Sequence, residues 1–204
     1  MEIIPTQDEV IQLLRQSGAL RDGFFAYPNG IFSNQYLQMA LAFRNYQDQK
    51  TLSVALSRLI RRNSEIRAAI PQLSIVAPAV AGLPVAYGVC EALRAKRVYW
   101  VERMNRDEPQ RFRQFLEQEP GEKVLLVDDV LRSGKNLREI KTLCESNGAE
   151  VMGLATIVSQ PNPDSIDFGE LPRFHLAVIE STYYESRENW PHLAPGQEPT
   201  RIWV

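Results

Sequence analysis

The sequence predicts an α/β fold, a mainly parallel twisted sheet flanked by helices. Two observations predict it. Short runs that are apolar at nearly every position, such as residues 73–77 and 124–127, alternate with stretches that carry a helical period. Strands apolar on both faces belong to parallel sheets covered by crossover helices. In addition, the run 124–127 ends on two adjacent acids, Asp128 and Asp129, and then on a small-residue turn and a further helical pattern. Sheets of this kind bind ligands beyond the carboxyl ends of their strands, which places the acid pair on the functional rim.

Residues 9–20 read as an amphipathic helix, with Val10, Leu13, Leu14 and Leu20 close to a 3.6-residue period. Residues 23–36 lose that period. Phe24, Phe25 and Phe32 around the turn Pro28, Asn29, Gly30 predict two short extended pieces and a bend. Residues 51–61 return to helix, because Leu52, Ala55, Leu56, Leu59 and Ile60 share one face. A strand at 73–77 then runs through 78–82 into a helix over 84–93, followed by a strand at 97–101. The strand at 124–127 leads into a helix over 135–147 that Gly148 can cap, then strands at 151–158 and 174–179. The charged connection 102–122 has little clear strand pattern, and its length marks it as functional or disordered. The tail 181–204 is rich in Tyr, Trp and Pro and has little period. The expectation is one domain over 1–204: a core at 46–179, a hood and tail at 1–45 and 180–204, and a flexible loop at 102–122.

Composition narrows the function classes. With 44% hydrophobic and 24% charged residues, the 204-residue chain has the make-up of a soluble globular protein. A formal net charge of -2 leaves no general electrostatic footprint for nucleic acid or an anionic membrane. No apolar run approaches the roughly 20 residues of a membrane span, and the N-terminus lacks the pattern of a secretory signal. Cys90 and Cys144 sit in apolar helical patterns and do not make a disulfide framework. Two histidines without a Cys/His cluster argue against zinc. A cytoplasmic protein without a built-in metal is the expectation.

The chemistry lies in VLLVDDVLRSGKNLREI, residues 124–140. Backbone N–H groups at a small-residue turn and a helix N-terminus make an anion site suited to phosphate. Ser133 and Asn136 add donors there, and Lys135 adds charge. Adjacent carboxylates cannot bind phosphate. They accept hydrogen bonds from sugar hydroxyls, or hold Mg²⁺ directly or through water. Acids beside a phosphate cradle therefore point to a sugar phosphate. The bland alternative is a strand end with solvated acids and a capped helix.

This stretch resembles the phosphoribosyl pyrophosphate (PRPP) signature of type I phosphoribosyltransferases, and other segments resemble the orotate branch of that family. GALRDGFFAYPNGIFSNQYLQ (18–38) is similar to its N-terminal segment, and APAVAGLPVAYGVCEAL (77–93) to its pyrophosphate loop and following helix. RFRQF and PGEKVLLVDDV resemble the end of its flexible loop, and NWPHLAPGQEPTRIW (189–203) a tail of some members. The resemblance covers nearly the whole chain. It implies the type I phosphoribosyltransferase fold, with Asp128 and Asp129 facing the ribose hydroxyls of PRPP and touching Mg²⁺ indirectly. It implies that Ser133, Gly134, Lys135 and Asn136 cradle the 5′-phosphate, and that Ala79, Val80, Ala81 and Gly82 approach the pyrophosphate. Arg103, at the base of the flexible loop, and Arg113 would supply positive charge to that pyrophosphate. The implied chemistry is displacement at the anomeric carbon by a nitrogenous base, a pentosyl transfer with Mg²⁺, in a homodimer. The partners are then PRPP and a nitrogenous base or nucleotide monophosphate, with no nucleic acid and no membrane.

The sequence also departs from that pattern. The lysine usual after the arginine equated with Arg103 is Met104, and residues 105–114 hold Arg106, Arg111 and Arg113 but no lysine or histidine. The lysine preceding the N-terminal S-G of many members is Pro28. The threonine usual at the first turn position is Arg132, and the D-R pair that meets the carboxylate of orotate is Ser159-Gln160. Arg132, Phe32 and Gln160 are the residues expected around the base. Arg132 either recruits an acidic ligand or blocks the pocket. Phe24, Phe25, Phe32 and Tyr36 read equally as base contacts or as a hydrophobic hood, while Tyr99, Trp100 and His175 read as core. His192 reads as tail surface and Glu117 and Glu119 as a solvated face. Three readings compete: a PRPP-dependent transferase whose acceptor need not be orotate, a catalytically silent sensor or interaction module on the same fold, and an unrelated doubly wound domain.

Overall fold

The computed structural model describes residues 4–28, 30–105, 108–116, 118–190 and 198–202. The expectations that fall on Asn29, Arg106, Glu117 and His192 lie outside the described residues. The chain opens with α1 (Gln7–Gln16), whose start is fixed by a capping box: Glu9 N donates to Thr6 Oγ1 at 3.3 Å and Thr6 N to Glu9 Oε2 at 2.7 Å. Next come β1 (Leu20–Ala26) and β2 (Phe32–Leu37), an antiparallel pair around the turn at 28–30. A four-residue helix α2 (Ala40–Phe43) leads into α3 (Tyr46–Ile60). Asn45 caps α3 by accepting from Gln47 N at 3.0 Å, which starts the helix five residues before its apolar period begins. The short α4 (Ser64–Ala69), capped by Asn63, was not predicted; six residues carry too little period to read.

The core follows with β3 (Ser74–Pro78), α5 (Leu83–Leu93), β4 (Arg97–Glu102) and β5 (Arg111–Phe112), the last a short antiparallel edge within the charged connection. Then come β6 (Lys123–Leu131), α6 (Lys135–Ser146), β7 (Glu150–Ser159) and β8 (Arg173–Val178). In the tail, β9 (Tyr183–Tyr184) and β10 (Thr200–Arg201) complete the strands among the described residues.

These strands form two sheets. The larger has the order β5-β4-β3-β6-β7-β8, parallel throughout except for β5. The chain moves from β3 outward to β4 on one side and from β6 outward to β7 and β8 on the other. The switch point is therefore between β3 and β6, and the loops after these two strands flank the crevice where such sheets bind ligands. One face of the sheet packs against α1, α3 and α5 through residues such as Leu14, Leu52, Leu56, Val85 and Val89. The other packs against α6 through Leu137, Ile140 and Cys144 on Val76, Leu126 and Leu154. The smaller sheet, β10-β1-β2-β9, draws the C-terminal tail onto the N-terminal hood.

One difference from the expected elements bears on function. β6 does not stop at Val127. It continues to Leu131, with Asp128 paired to Thr156, Val130 to Val158 and Leu131 to Ser159 on β7. β3 pairs with β6 only as far as Leu126, so β6 projects past its neighbour and carries both acids into the crevice.

Candidate active site

A cavity of about 900 Å³ lies over the switch point, between the two sheets. Its floor is built from the sequence feature that suggested a site. Asp128 and Asp129 both line it. Each uses one oxygen to accept a backbone N–H within the strand: Asp129 N donates to Asp128 Oδ1 at 2.9 Å, and Val130 N to Asp129 Oδ1 at 2.7 Å. Those bonds fix the two carboxylates against the strand end. Asp128 is 7% exposed. Burial, reinforced by the charge of Asp129, pushes its carboxyl well above the ordinary range. Burial raises Asp129 too, opposed by the Val130 N–H and by the positive charge of Arg132. A pair of crowded acids with oxygens to spare suits hydroxyl donors and a divalent cation such as Mg²⁺, and the residues present fit that group.

Beside the acids, the turn 132–134 opens α6. Gly134 adopts φ +77°, and a Cβ there would meet Phe168 at 2.8 Å, so both the turn and its packing require glycine. Ser133 O accepts from Ile166 N at 2.9 Å rather than from the first helical turn. Among the described residues the N–H groups of Ser133, Gly134, Asn136 and Leu137 have no backbone acceptor, and Lys135 N reaches only Ser133 Oγ at 3.4 Å. A cluster of unsatisfied donors at the start of a 12-residue helix is an anion site. Lys135 is exposed at its edge.

The loop after β3 faces this floor. Ala79 N already donates to Val101 O at 2.8 Å and Gly82 N to Pro78 O at 3.2 Å, and the Ala79–Val80 peptide is cis. That leaves Val80 and Ala81 N–H without a backbone acceptor among the described residues. A Cβ at Gly82 would lie 2.9 Å from Pro78 Cδ and O, so the loop closes on the strand end only with glycine there. The hood supplies the roof, with Tyr27, Tyr36 and the segment 37–40, and the tail adds Ile202.

Against this geometry, the family model for the phosphoribosyl transferase domain matches residues 44–166. The chain belongs to the phosphoribosyltransferase family. It is 32% identical over 197 residues to an orotate phosphoribosyltransferase of Caulobacter vibrioides, covering 95% of this chain and 96% of that one. It is 30% identical over 189 residues to that of Carboxydothermus hydrogenoformans, covering 92% and 93%. Among solved structures, orotate phosphoribosyltransferase from Aeropyrum pernix aligns with a TM-score of 0.63 at 20% identity, covering 83% of this chain and 93% of that one. Adenine phosphoribosyltransferase from Leishmania tarentolae aligns at 0.60 and 16% identity, covering 87% and 94%. At such identities the structural likeness speaks for the phosphoribosyltransferase fold alone.

The expected site residues divide. Asp128, Asp129, Arg132, Ser133, Gly134, Lys135, Asn136, Ala79, Val80 and Ala81 all line the one cavity, and Gly82 is buried beneath its loop. Arg103 and Arg113 are not brought to it. Arg103 is held against α6 by Glu139, Nη2 to Oε2 at 2.6 Å, with Asn136 Oδ1 at 3.3 Å. Arg113 pairs with Glu102 at 3.5 Å on the outside. Phe32 stacks on Phe24 at 5.5 Å instead of lining the cavity. Gln160 is 0% exposed and sits behind Arg132. Tyr27, the 37–40 segment and Ile202 were missed. The only signal for Tyr27 was an aromatic residue immediately before the Pro28 turn. Ile202 comes to the cavity because its N–H bonds Ala26 O at 3.0 Å, a contact across the whole chain.

Proposed function

We propose that the protein transfers the 5-phosphoribosyl group of PRPP, with Mg²⁺, to a nitrogenous ring, releasing pyrophosphate. The observation that carries this reading is the overhang of β6: it sets two fixed, crowded carboxylates beside a glycine turn whose N–H groups have no backbone acceptor among the described residues. Ribose hydroxyls and the hydrated cation meet Asp128 and Asp129. The 5′-phosphate meets the N–H groups of 133–137 and Lys135, and the pyrophosphate meets Val80 and Ala81 N–H. Mg²⁺, when bound with PRPP, neutralises the departing pyrophosphate. Arg103 joins it by exchanging Glu139 for pyrophosphate oxygens. The names of the relatives support this assignment, and so does the presence of both aspartates at the end of β6. The chain acts as one unit over 1–204, with hood and tail covering the acceptor, and as a homodimer.

Calorimetric titration of PRPP with Mg²⁺ tests the reading, alongside the variant Asp128→Asn/Asp129→Asn. Micromolar-range binding that the variant loses supports it, and pyrophosphate release across a panel of bases then finds the acceptor. Absence of binding to PRPP and to nucleotide monophosphates would leave a silent scaffold.

A further inference from the structure

The connection between β7 and β8, residues 160–172, lies along the back of the turn that opens α6. It supplies a donor to three carbonyls in a row: Gln160 N to Leu131 O at 2.8 Å, Ser165 Oγ to Arg132 O at 3.0 Å and Ile166 N to Ser133 O at 2.9 Å. No residue of this connection lines the cavity, whereas the turn 132–134 does. The carbonyls of the turn are therefore drawn away from the cavity. In a planar trans peptide, the N–H of the following residue points opposite to the carbonyl. Ala79–Val80 is the cis peptide among the described residues, so the Arg132–Ser133 and Ser133–Gly134 peptides are trans. Anchoring Arg132 O and Ser133 O behind the turn thus aims Ser133 N–H and Gly134 N–H at the cavity.

The connection is itself fixed, so it can act as a support. Asn162 folds its start: Asn162 O accepts from Ser165 N at 3.0 Å and Asn162 Oδ1 from Asp164 N at 3.0 Å. Ser165 Oγ accepts from Asn162 N at 2.9 Å, and its proton is directed to Arg132 O at 3.0 Å, nearer than Asn162 Oδ1 at 3.4 Å. Phe168 is buried against Gly134, and the Arg138 guanidinium of α6 sits 5.2 Å from the centre of its ring. Arg138 also donates to Asp167 O, and Asp167 pairs with Arg173 at the start of β8 at 3.5 Å. Released from this support, the two peptides of the turn are free to rotate. A carbonyl turned toward a phosphate repels it, whereas an N–H binds it.

We infer that the segment 160–168 is the support that makes this turn an anion site, and that Ser165 is its positioning residue, acting through Arg132 O without touching the ligand. The inference rests on the transferase reading above and adds a side chain, outside both the acid-and-turn stretch and the cavity, on which binding of the 5′-phosphate depends. The dependence is one-sided. The loop after β3, with Val80 and Ala81 N–H, makes no hydrogen bond to residues 160–168 among the described residues. A pyrophosphate held there is indifferent to Ser165.

Two fragments of the substrate test it without any turnover. Calorimetry of the full-length protein with Mg²⁺ would compare ribose 5-phosphate with pyrophosphate for wild type, Ser165→Val and Ser165→Thr. Ser165 is exposed, so neither variant disturbs the core. Valine and threonine share a branched outline and differ in the hydroxyl, and valine also keeps water from taking its place. Ser165→Val is expected to weaken ribose 5-phosphate by roughly 3–10-fold, the range of one hydrogen bond, and to leave pyrophosphate unchanged. Ser165→Thr should restore ribose 5-phosphate to the wild-type affinity. In amide NMR spectra the Ser133 and Gly134 signals should move in Ser165→Val and keep their places in Ser165→Thr. Equal affinity of wild type and Ser165→Val for ribose 5-phosphate overturns the inference and leaves the sugar-phosphate site standing. Equal losses for the two ligands, or a loss that Ser165→Thr shares, also overturn it, since the side chain then serves only the fold. Failure of the wild type to bind ribose 5-phosphate and PRPP removes both readings together.

Discussion

Asp128 and Asp129 cost the empty protein stability, and the sign can be worked out. Both carboxyls are raised above the ordinary value near 3.9 that the unfolded chain has (approximately, for a free Asp). The folded state thus keeps protons that the unfolded state releases, so their favourable contribution is full below about pH 4 and is lost as pH rises through the folded values. Asp128→Asn is therefore expected to raise the melting temperature at pH 7.5 by about 2–4 °C for each kcal/mol relieved, and to do so less at pH 5. Thermal unfolding at the two pH values checks this; an equal loss at both would mean that the acid is structural. The cysteines give a second expectation. Burial pushes the Cys144 thiol up to about 12, and Cys90, half-buried, is raised for the same reason. At pH 8 an aromatic disulfide reagent should modify Cys144 only after unfolding, with mass spectrometry locating the label. At this scale the sequence showed which residue types gather but not what each one touches. Arg103 reads as a pyrophosphate ligand, yet the acid that holds it, Glu139, lies a helical turn beyond Asn136 and carries no motif. Gln160 reads as a base contact, whereas its side chain is buried between Arg132 and Ser181.

Among elements, the decisive unit is β6 with its turn and α6, and it was the most legible part of the chain. Its apolar run, paired acids, glycine and helical period all point to one strand-turn-helix, because each is a local feature. What was not legible is where the strand ends. Asp128 to Leu131 are extended because β7 lies beside them, and acidic residues have no preference that would announce it. The same holds for β5, β9 and β10, two residues each, which exist only through their partners. The turn itself is the most exacting position. Gly134→Ala must place a side chain at φ +77° and displace Phe168. The left-handed conformation alone costs about 1–2 kcal/mol, so chemical denaturation should show at least that loss. PRPP affinity should fall as well, since the N–H groups of 133–137 are aimed by this residue. An unchanged affinity would detach the turn from phosphate binding.

Across the whole molecule, the two halves of the cavity rest on different supports. The half proposed for the sugar phosphate stands on β3 and β6 of the parallel sheet and on α6 packed against it. The half proposed for the acceptor stands on the hood, a small sheet that closes only when the C-terminal strands β9 and β10 join β1 and β2. A single chain of polar side chains ties the hood to the end of β7: Gln160 to Ser181 at 2.7 Å, Ser181 to Gln35 at 3.0 Å and Gln35 to Asp22 at 2.8 Å. Ser181→Ala cuts this chain and strands the fully buried Gln160 amide, at a cost of about 1–3 kcal/mol. Its consequence for binding should be one-sided. PRPP affinity, expected to rest on the parallel sheet, should stay within about twofold of wild type, while nucleotide monophosphates should weaken as Arg132 loses its brace. Titration of the same variant with both classes of ligand decides the matter. Parallel losses for PRPP and nucleotide would mean that hood and core form one rigid site, and a loss of stability without any change in binding would mean that the brace serves the fold and not the acceptor.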